Sequence, residues 1–382
     1  MIYCKTNFGT LTGGEVQNMA ERIAVAMSGG VDSSAAAWLL REQGHELMGI
    51  TLTLFDDTTA NVPGNQQDVD DAAHVAHQLR FPHHVLHMAQ CFRTAVMDHF
   101  VSSYERGATP NPCVVCNRCI KFGALLEQAH ALGAQSIATG HYARIEQDPA
   151  SQRWLLKKAA HPEKDQSYVL CTLSQEQLSS ARFPLGGLSK EEIRKIALEQ
   201  GLVSARKRES QDICFIPDGD YAGFIKRETG AEFAPGNFVD TEGNILGQHK
   251  GIIHYTVGQR KGLGLTAPTP LFVKELRPDT NEVVICQSEQ LFETECYVKE
   301  MNYMGMPELS MGQEVAAIGK VRYSHKGASC KLSLLEDGRV LCRFEEPQRA
   351  MTPGQAAVFY KDDYVLCGGT IDRKEFLYGK NL

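Results

Sequence analysis

Short apolar-rich runs alternate with helix-forming stretches along the first part of the chain. Residues 23–27 and 47–54 have the length and side chains of buried strands, and residues 32–40 begin with Asp and Ser and continue with strong helix formers. This order of strand, loop, helix and strand predicts a βαβ unit. Such a unit places parallel strands in one sheet with helices on its faces.

The alternation continues to about residue 140 and then changes. We expect helices over residues 70–79, 92–104 and 120–132 and strands over residues 84–87 and 136–139. After about residue 218, Gly and Pro separate short segments of period-two alternation, such as 283–286, 315–323 and 331–334. Several short strands at close spacing indicate a β-barrel or a sandwich.

The length of 382 residues is enough for two to three domains. We predict an α/β fold with a parallel-sheet domain, then a small central domain, then a C-terminal antiparallel β-barrel. The predicted parts are an N-terminal extension (1–20), the sheet domain (21–218), the central domain (219–290) and the barrel (291–382).

The composition excludes several classes of protein. Apolar residues are 43% of the chain and charged residues 22%, which is ordinary for a globular protein and excludes a disordered or collagen-like chain. The net charge of −7 argues against a histone-like binder but leaves room for a local basic groove. The start has no secretory signal pattern, and no window approaches 18 consecutive apolar residues. We therefore expect the 12 cysteines to be in a reducing cytoplasm, where clustered cysteines are catalytic or metal-binding more often than disulfide-bonded.

A glycine-rich loop, residues 28–33, joins the first predicted strand to the first helix. Its sequence is Ser-Gly-Gly-Val-Asp-Ser, so the backbone can turn tightly and the helix amides can attract an anion, with the hydroxyls of Ser28 and Ser33 as further donors. The loop lacks the Gly-Lys-Ser/Thr ending of a Walker A loop and the third glycine of a dinucleotide-binding loop. The pattern indicates a different phosphate-binding loop.

Three cysteines lie close together in a segment that two prolines stiffen. Cys113 and Cys116 are three residues apart where a helix begins, which puts their Cβ atoms about 5–6 Å apart and suits a metal, a cluster or a redox pair. Cys119 extends the spacing, but a ferredoxin run needs a cysteine where Gly123 stands. Any metal site therefore needs a remote ligand, for which Cys214 is the best candidate, although a lone cysteine between apolar residues is usually a small core residue.

Eight strings, in order along the chain, resemble the bacterial tRNA-specific 2-thiouridylase (MnmA) family of PP-loop ATP pyrophosphatases. They are residues 28–33, 109–112, 138–143, 164–168, 210–216, 254–262, 321–323 and 352–360. The resemblance runs from about residue 22 to the end of the chain. It implies a PP-loop domain of the adenine nucleotide α-hydrolase type, with ATP and Mg²⁺ as cofactors.

The family resemblance also implies a reaction. Its members adenylate the C2 oxygen of the wobble uridine in tRNA and then replace that oxygen with sulfur, releasing AMP and pyrophosphate. By this resemblance Cys214 carries the sulfur as a persulfide and Cys116 is its partner thiol. The sulfur arrives through a relay that begins at a cysteine desulfurase.

The resemblance assigns further residues to ATP and to tRNA. ATP is held by Ala26, Met27, Ser28, Gly29, Gly30, Val31, Asp32, Ser33, Leu52 and Gly140. The target base meets Asn111, Pro112 and Cys113, and the rest of the tRNA surface is Lys164, Asp165, Gln166, His141, Arg322, Tyr323 and Gln355. Three of these have a simpler alternative: Lys164 as a surface lysine, Arg322 as a barrel-strand charge, and His141 as a residue that orients its loop.

The chain departs from the family pattern at Cys113, where the best-known members have an aspartate with a general acid/base role. A thiol with a pKa of ~8.5, against ~3.9 for aspartate, is a poor substitute base at neutral pH. Cys113, Cys116 and Cys214 are three thiols that suit a [4Fe–4S] cluster with one open iron, as in iron–sulfur-dependent thiolases of related PP-loop type. Our hypothesis is such a cluster-dependent variant, with the persulfide route as the alternative.

Two other functions stay open. Another PP-loop adenylating ligase, acting on a small metabolite, accounts for the ATP loop but not for the tRNA-related strings. A non-enzymatic iron–sulfur or RNA-binding protein is opposed by the intact loop with Asp32 and by the complete cysteine set.

Overall fold

The structure is a computed structural model and describes residues 20–55, 65–206 and 213–374. Three parts of the sequence predictions lie outside these ranges: most of the N-terminal extension, residues 210–212 of the family string 210–216, and residues 375–382 of the predicted barrel.

The first domain is built on a parallel sheet, as the alternating pattern predicted. Its strands and the following hairpin are β1 (Arg22–Ala26), β2 (Glu46–Thr53), β3 (His83–His87), β4 (Ser136–Ala138), β5 (Ala143–Gln147), β6 (Trp154–Lys158) and β7 (Ala181–Arg182). The sheet order is β3-β2-β1-β4-β7, with every pair parallel. Ile23, Ala24 and Val25 of the central strand are fully buried, since helices cover both faces. The α/β prediction is confirmed.

The helices bear out most of the predicted positions but differ around the cysteines. They are α1 (Val31–Glu42), α2 (Asn65–Leu79), α3 (Ala89–Phe92), α4 (Asp98–Glu105), α5 (Pro112–Cys116), α6 (Leu125–Ala131), α7 (Gln175–Ser179), α8 (Lys190–Glu199) and α9 (Tyr221–Thr229). A π-helical segment, Asn117–Ala124, joins α5 to α6, so the helix start predicted at the two cysteines and the helix predicted over residues 120–132 are one continuous helix that begins at Pro112. Pro112 at the first helical position and the Asn111 side chain, which accepts from the Cys113 amide, explain this start.

The rest of the described chain is mostly β-structure. The central sheet has the order β10-β11-β8-β9, formed by β8 (Gly236–Val239), β9 (Ile245–His249), β10 (Phe272–Arg277) and β11 (Glu282–Cys286). The last strands are β12 (Phe292–Tyr303), β13 (Glu314–Lys320), β14 (Ala328–Leu334), β15 (Val340–Arg349), β16 (Ala356–Lys361) and β17 (Tyr364–Asp372). They pair antiparallel in the order β12-β15-β14-β13-β16-β17, and β12 also pairs with β17. This pairing closes the predicted barrel and leaves it without a free edge.

The barrel is attached to the first domain through the β5–β6 hairpin. Strand β6 pairs with β17, with Lys157 opposite Tyr364. The Arg144 guanidinium adds a bond of 2.9 Å to the Asp363 carboxylate in the turn before β17. The domain boundaries at residues 218 and 290 stay predictions. No helix within the described residues has both the length and the apolar character needed to cross a membrane.

Candidate active site

The hydroxyl groups of the glycine-rich loop form hydrogen bonds within the loop. The Ser28 amide donates to the Ser33 Oγ at 3.2 Å, and the two serine Oγ atoms lie 3.4 Å apart. Gly29 has a φ of +64°, and Gly30 is the N-cap of α1. The amides of the first turn of α1 therefore face out of the loop end, which is an arrangement that attracts phosphate.

Two glycines, which have no side chain, allow the backbone of neighbouring elements to approach this loop closely. A Cβ added to Gly29 would lie 2.5 Å from the backbone oxygen of Asp68 in α2. A Cβ added to Gly140, just after β4, would lie 2.9 Å from backbone atoms of Asp32 and Ser33. The structure thus brings Gly140 to the loop, as an ATP-binding role requires. The other predicted ATP residues are nearby in the chain: Ala26 and Met27 at the end of β1, Val31 at the start of α1, and Leu52 in β2 beside them.

A buried lysine that the sequence analysis did not single out holds the loop's aspartate. Lys190 Nζ lies 2.7 and 2.9 Å from the two carboxylate oxygens of Asp32, and the Tyr142 hydroxyl donates to the same carboxylate at 2.7 Å. Lys190 is only 5% exposed although it is at the first position of α8. A cation in the first turn opposes the helix dipole, and this mismatch is the sequence signal that could have found it.

Replacing Lys190 with methionine is expected to lower the free energy of unfolding by about 2–3 kcal/mol, because it leaves a partly buried carboxylate without its cation. Urea unfolding of the full chain measures the change. Lys195→Met is the matched control on the same helix, since that side chain is 74% exposed and its pair with Glu199 spans 3.8 Å. The control variant is expected to lower the free energy of unfolding by less than about 0.5 kcal/mol. Equal losses in the two variants would contradict a structural ion pair at the loop.

The three predicted thiols lie on two segments of the first domain. Cys113 is exposed at the start of α5, Cys116 is half-buried at its end, and Cys214 is exposed next to the buried Phe215. Packing raises the pKa of the Cys116 thiol, with Cys113 and Cys119 adding to the shift. Burial also raises the pKa of the Cys214 thiol, and the charges of Cys116 and Cys113 raise it further. The charges of Cys113 and Cys116 thus act on the Cys214 thiol, which the sequence analysis singled out as their remote partner.

The structure does not itself record a metal site. Across the residues described, no group of three or more His, Cys, Asp or Glu side chains is gathered closely enough to hold a metal ion. Binding of an iron–sulfur cluster by Cys113, Cys116 and Cys214 stays a prediction.

The barrel reaches the cysteine-bearing segment through two loops. The Gln355 side-chain amide donates to the Thr109 carbonyl at 2.7 Å, and the Thr109 amide donates to the Pro353 carbonyl at 2.8 Å. The Tyr323 hydroxyl donates to the Asp165 carbonyl at 3.3 Å, and burial raises the pKa of Tyr323, with Asp165 and Cys113 adding to the shift. The barrel therefore contacts the segment that leads into the cysteines at Thr109.

Several residues predicted to contact tRNA have partners inside the protein. The Asp165 carboxylate accepts from the Ala159 and Ser167 amides, and the Gln166 side-chain oxygen accepts from the Tyr142 amide at 2.9 Å. His141 is buried, bonds the Thr139 hydroxyl at 2.7 Å, and has its pKa held well below the usual value by burial.

The remaining predicted tRNA residues lie on separate segments. Arg322 donates to the Arg349 carbonyl at 3.0 Å, Pro112 is buried, and Lys164 ends a short 3₁₀ turn. Contact of any of these residues with tRNA stays a prediction.

Comparison with known proteins covers almost the whole described chain. Three family models match: "tRNA methyl transferase HUP domain" over residues 21–218, "tRNA methyl transferase PRC-barrel domain" over 222–287, and "Aminomethyltransferase beta-barrel domain" over 293–371. The chain is 49% identical to the tRNA-specific 2-thiouridylase MnmA of Lachnoclostridium phytofermentans, over 92% of this chain and 99% of the relative. It is 46% identical to the tRNA-specific 2-thiouridylase MnmA 1 of Caldanaerobacter subterraneus subsp. tengcongensis, over 94% and 99%. At these identities and coverages, this chain belongs to the tRNA-specific 2-thiouridylase MnmA family.

Proposed function

We propose that this chain is an ATP-dependent tRNA-uridine 2-sulfurtransferase acting on the wobble uridine. The observation that carries the proposal is the joining of three thiols to a phosphate-binding loop within one family fold. His141 links the two, since it follows Gly140, which touches the loop, and its ring is 6.1 Å from that of Phe122 on the cysteine-bearing helix. Adenylation by ATP and sulfur transfer can therefore act on the same uridine.

The loop and the helix divide the chemistry into two steps. The loop amides and the hydroxyls of Ser28 and Ser33 bind the phosphates of ATP, which arrives with Mg²⁺. The uridine C2 oxygen attacks the α-phosphate, and pyrophosphate leaves. Adenylation turns a poor leaving group into AMP, so that a sulfur nucleophile can attack C2. To reach this space the uridine must be unstacked from the anticodon loop.

The third thiol favours a cluster as the source of sulfur. A persulfide route uses two thiols: the terminal sulfur on Cys214 attacks C2, and Cys116 then forms a disulfide with Cys214, leaving the sulfur on the base. That route gives Cys113 no role, although its charge helps to raise the pKa of the Cys214 thiol. Cys113, Cys116 and Cys214 are the residues that would hold a [4Fe–4S] cluster, and such a cluster would supply sulfur as sulfide rather than as a persulfide.

The partners follow from the same chemistry. The substrate is a tRNA with uridine at the wobble position, held between the first domain and the barrel. The sulfur comes from a cysteine desulfurase relay, and we place the protein in the cytoplasm, where thiols stay reduced.

The experiment is a reaction of the anaerobically purified chain with tRNA, ATP, Mg²⁺ and sulfide. We expect pyrophosphate release that depends on tRNA, 2-thiouridine in the nucleoside digest, and about four irons per chain, as a [4Fe–4S] cluster requires. A methylated nucleoside in place of a thiolated one would contradict sulfur transfer. Thiolation by iron-free protein from a persulfide donor alone would contradict the cluster but not the reaction. Pyrophosphate release that ignores tRNA would favour a ligase for a small metabolite.

A further inference from the structure

We propose that Phe215 is a positioning residue for sulfur transfer, because its ring anchors the turn that presents the Cys214 thiol. The inference rests on the proposed function and deepens it, since it names the side chain that fixes the place of this thiol. Three observations carry it: the turn that contains both residues, the rings that surround Phe215, and the elements to which those rings belong.

Cys214 and Phe215 are the two central residues of a tight turn. The Ile216 amide donates to the Ile213 carbonyl at 2.9 Å, which closes the turn over residues 213–216. Cys214 is exposed, whereas Phe215 is only 3% exposed. One residue of the turn is therefore available to a substrate while its neighbour is fixed in the core, and a shift of the buried ring moves the residue that bears the thiol.

Three buried aromatic rings surround the ring of Phe215. The centroid of its ring is 5.8 Å from that of Phe92 in α3 and 5.4 Å from that of Phe100 in α4, and both pairs are edge-to-face. The ring of Phe224 in α9 lies 5.1 Å away at a tilt of 52°. All three partners are 4% exposed or less. Aromatic pairs at these distances stabilise a defined geometry beyond the area that they bury, so the ring of Phe215 has one well-packed position.

The surrounding rings belong to elements that are fixed to one another. Phe92 also packs edge-to-face against Phe55, two residues after β2, with 5.4 Å between the centroids. The Arg93 guanidinium forms an ion pair of 2.7 Å with the Glu228 carboxylate, which joins the end of α3 to α9. The anchor of the turn is thus tied to α9 on one side. On the other side it is tied to β2, the strand that pairs with β1 and so lies beside the start of the glycine-rich loop.

Sulfur transfer depends on the position of the Cys214 thiol in a way that adenylation does not. In both sulfur routes of the proposed function, this thiol serves the step that follows adenylation. A reacting group that is misplaced by about 1 Å can lose about 100-fold in rate. The loop of residues 28–33 binds ATP through its own amides and hydroxyls and uses no ring of this cluster. Loss of the Phe215 ring is therefore expected to slow the second step alone, whereas a ring that only filled the core would not distinguish the two steps.

The test compares Phe215→Leu with Phe344→Leu, which removes an equally buried ring from another core. Phe344 is also 3% exposed and belongs to the separate cluster inside the barrel. Single-turnover reactions with tRNA, ATP, Mg²⁺ and the sulfur source that serves the wild type report adenylation by pyrophosphate release and sulfur transfer by 2-thiouridine. For Phe215→Leu we expect sulfur transfer slowed about 100-fold and pyrophosphate release within about 3-fold of wild type. Phe344→Leu should stay within about 3-fold of wild type in both steps.

Hydrogen exchange tests the anchor without ATP, tRNA or sulfur. The Ile216 amide is held in the turn by its bond to the Ile213 carbonyl, so its exchange reports how often the turn opens. We expect this amide to exchange at least about 10-fold faster in Phe215→Leu than in wild type. In Phe344→Leu its exchange should be unchanged.

Melting curves establish that each variant is folded, and Phe215→Met replaces the leucine variant if that one unfolds, since methionine fills an irregular space. The inference is overturned if a folded Phe215 variant slows both steps equally or slows neither. It is also overturned if the Ile216 amide in that variant exchanges as in wild type. A wild-type chain that adenylates no tRNA overturns the proposed function instead, so the two failures are distinct.

Discussion

Cys214→Ser is expected to abolish formation of 2-thiouridine, by more than about 1000-fold, while tRNA-dependent pyrophosphate release stays near the wild-type rate. Cys214 is an exposed residue, and burial of its sulfur, with the charges of Cys116 and Cys113 on a separate element, raises the pKa of its thiol. Serine keeps the size of the side chain but neither carries a persulfide nor binds iron as a soft ligand. Adenylation depends on the loop of residues 28–33 and needs no thiol. Single-turnover assays of pyrophosphate and of thionucleoside measure the two steps in one sample.

Cys91→Ser is the matched control for this prediction. Cys91 is also an exposed free cysteine, but it is in α3 and has no place in the predicted site. We expect full thiolation from that variant. Substantial thiolation by Cys214→Ser would contradict the role of Cys214 under both sulfur routes, and loss of pyrophosphate release would show that its role is structural.

Gly29→Ala is expected to weaken ATP binding by more than about 100-fold. The new Cβ would meet the Asp68 backbone oxygen at 2.5 Å, and a backbone atom cannot move aside as the end of a side chain can. The φ of +64° at Gly29 adds about 1–2 kcal/mol of strain for any other residue. The loop must open to relieve this clash and this strain, and opening moves the amides that bind phosphate. Calorimetric titration with ATP and Mg²⁺ measures the affinity.

Gly187→Ala tests whether alanine at a glycine position is harmful in itself. A Cβ at Gly187 meets nothing within 4 Å, and its φ is not in the left-handed region. That variant should bind ATP as the wild type does. Unchanged ATP affinity in Gly29→Ala would show that the loop tolerates displacement and that nucleotide is not held by its amides.

The parts of the site that the sequence predicted are contiguous in the chain. The phosphate-binding loop and the Cys113–Cys116 spacing each depend on residues within one turn of one another, so local patterns determine them. The residues that were missed act across long separations. Lys190 pairs with Asp32, 158 residues earlier, and no periodicity or spacing records such a pair.

The fold shows the same division. Period-two alternation predicted strands near the C-terminus, because each strand has one buried face. The pairing that closes the barrel, between β12 and β17, depends on packing between distant segments, as does the addition of the β5–β6 hairpin to β17. The π-helical segment was also unforeseen, since its composition is that of an ordinary helix.

The most direct test of the central claim is mass spectrometry of wobble nucleosides in tRNA from a strain that lacks this protein. The account predicts that 2-thiouridine derivatives at the wobble position disappear, that the wild-type chain restores them, and that Cys214→Ser does not. Unchanged wobble thiolation in a strain without any second copy of the family would contradict the account.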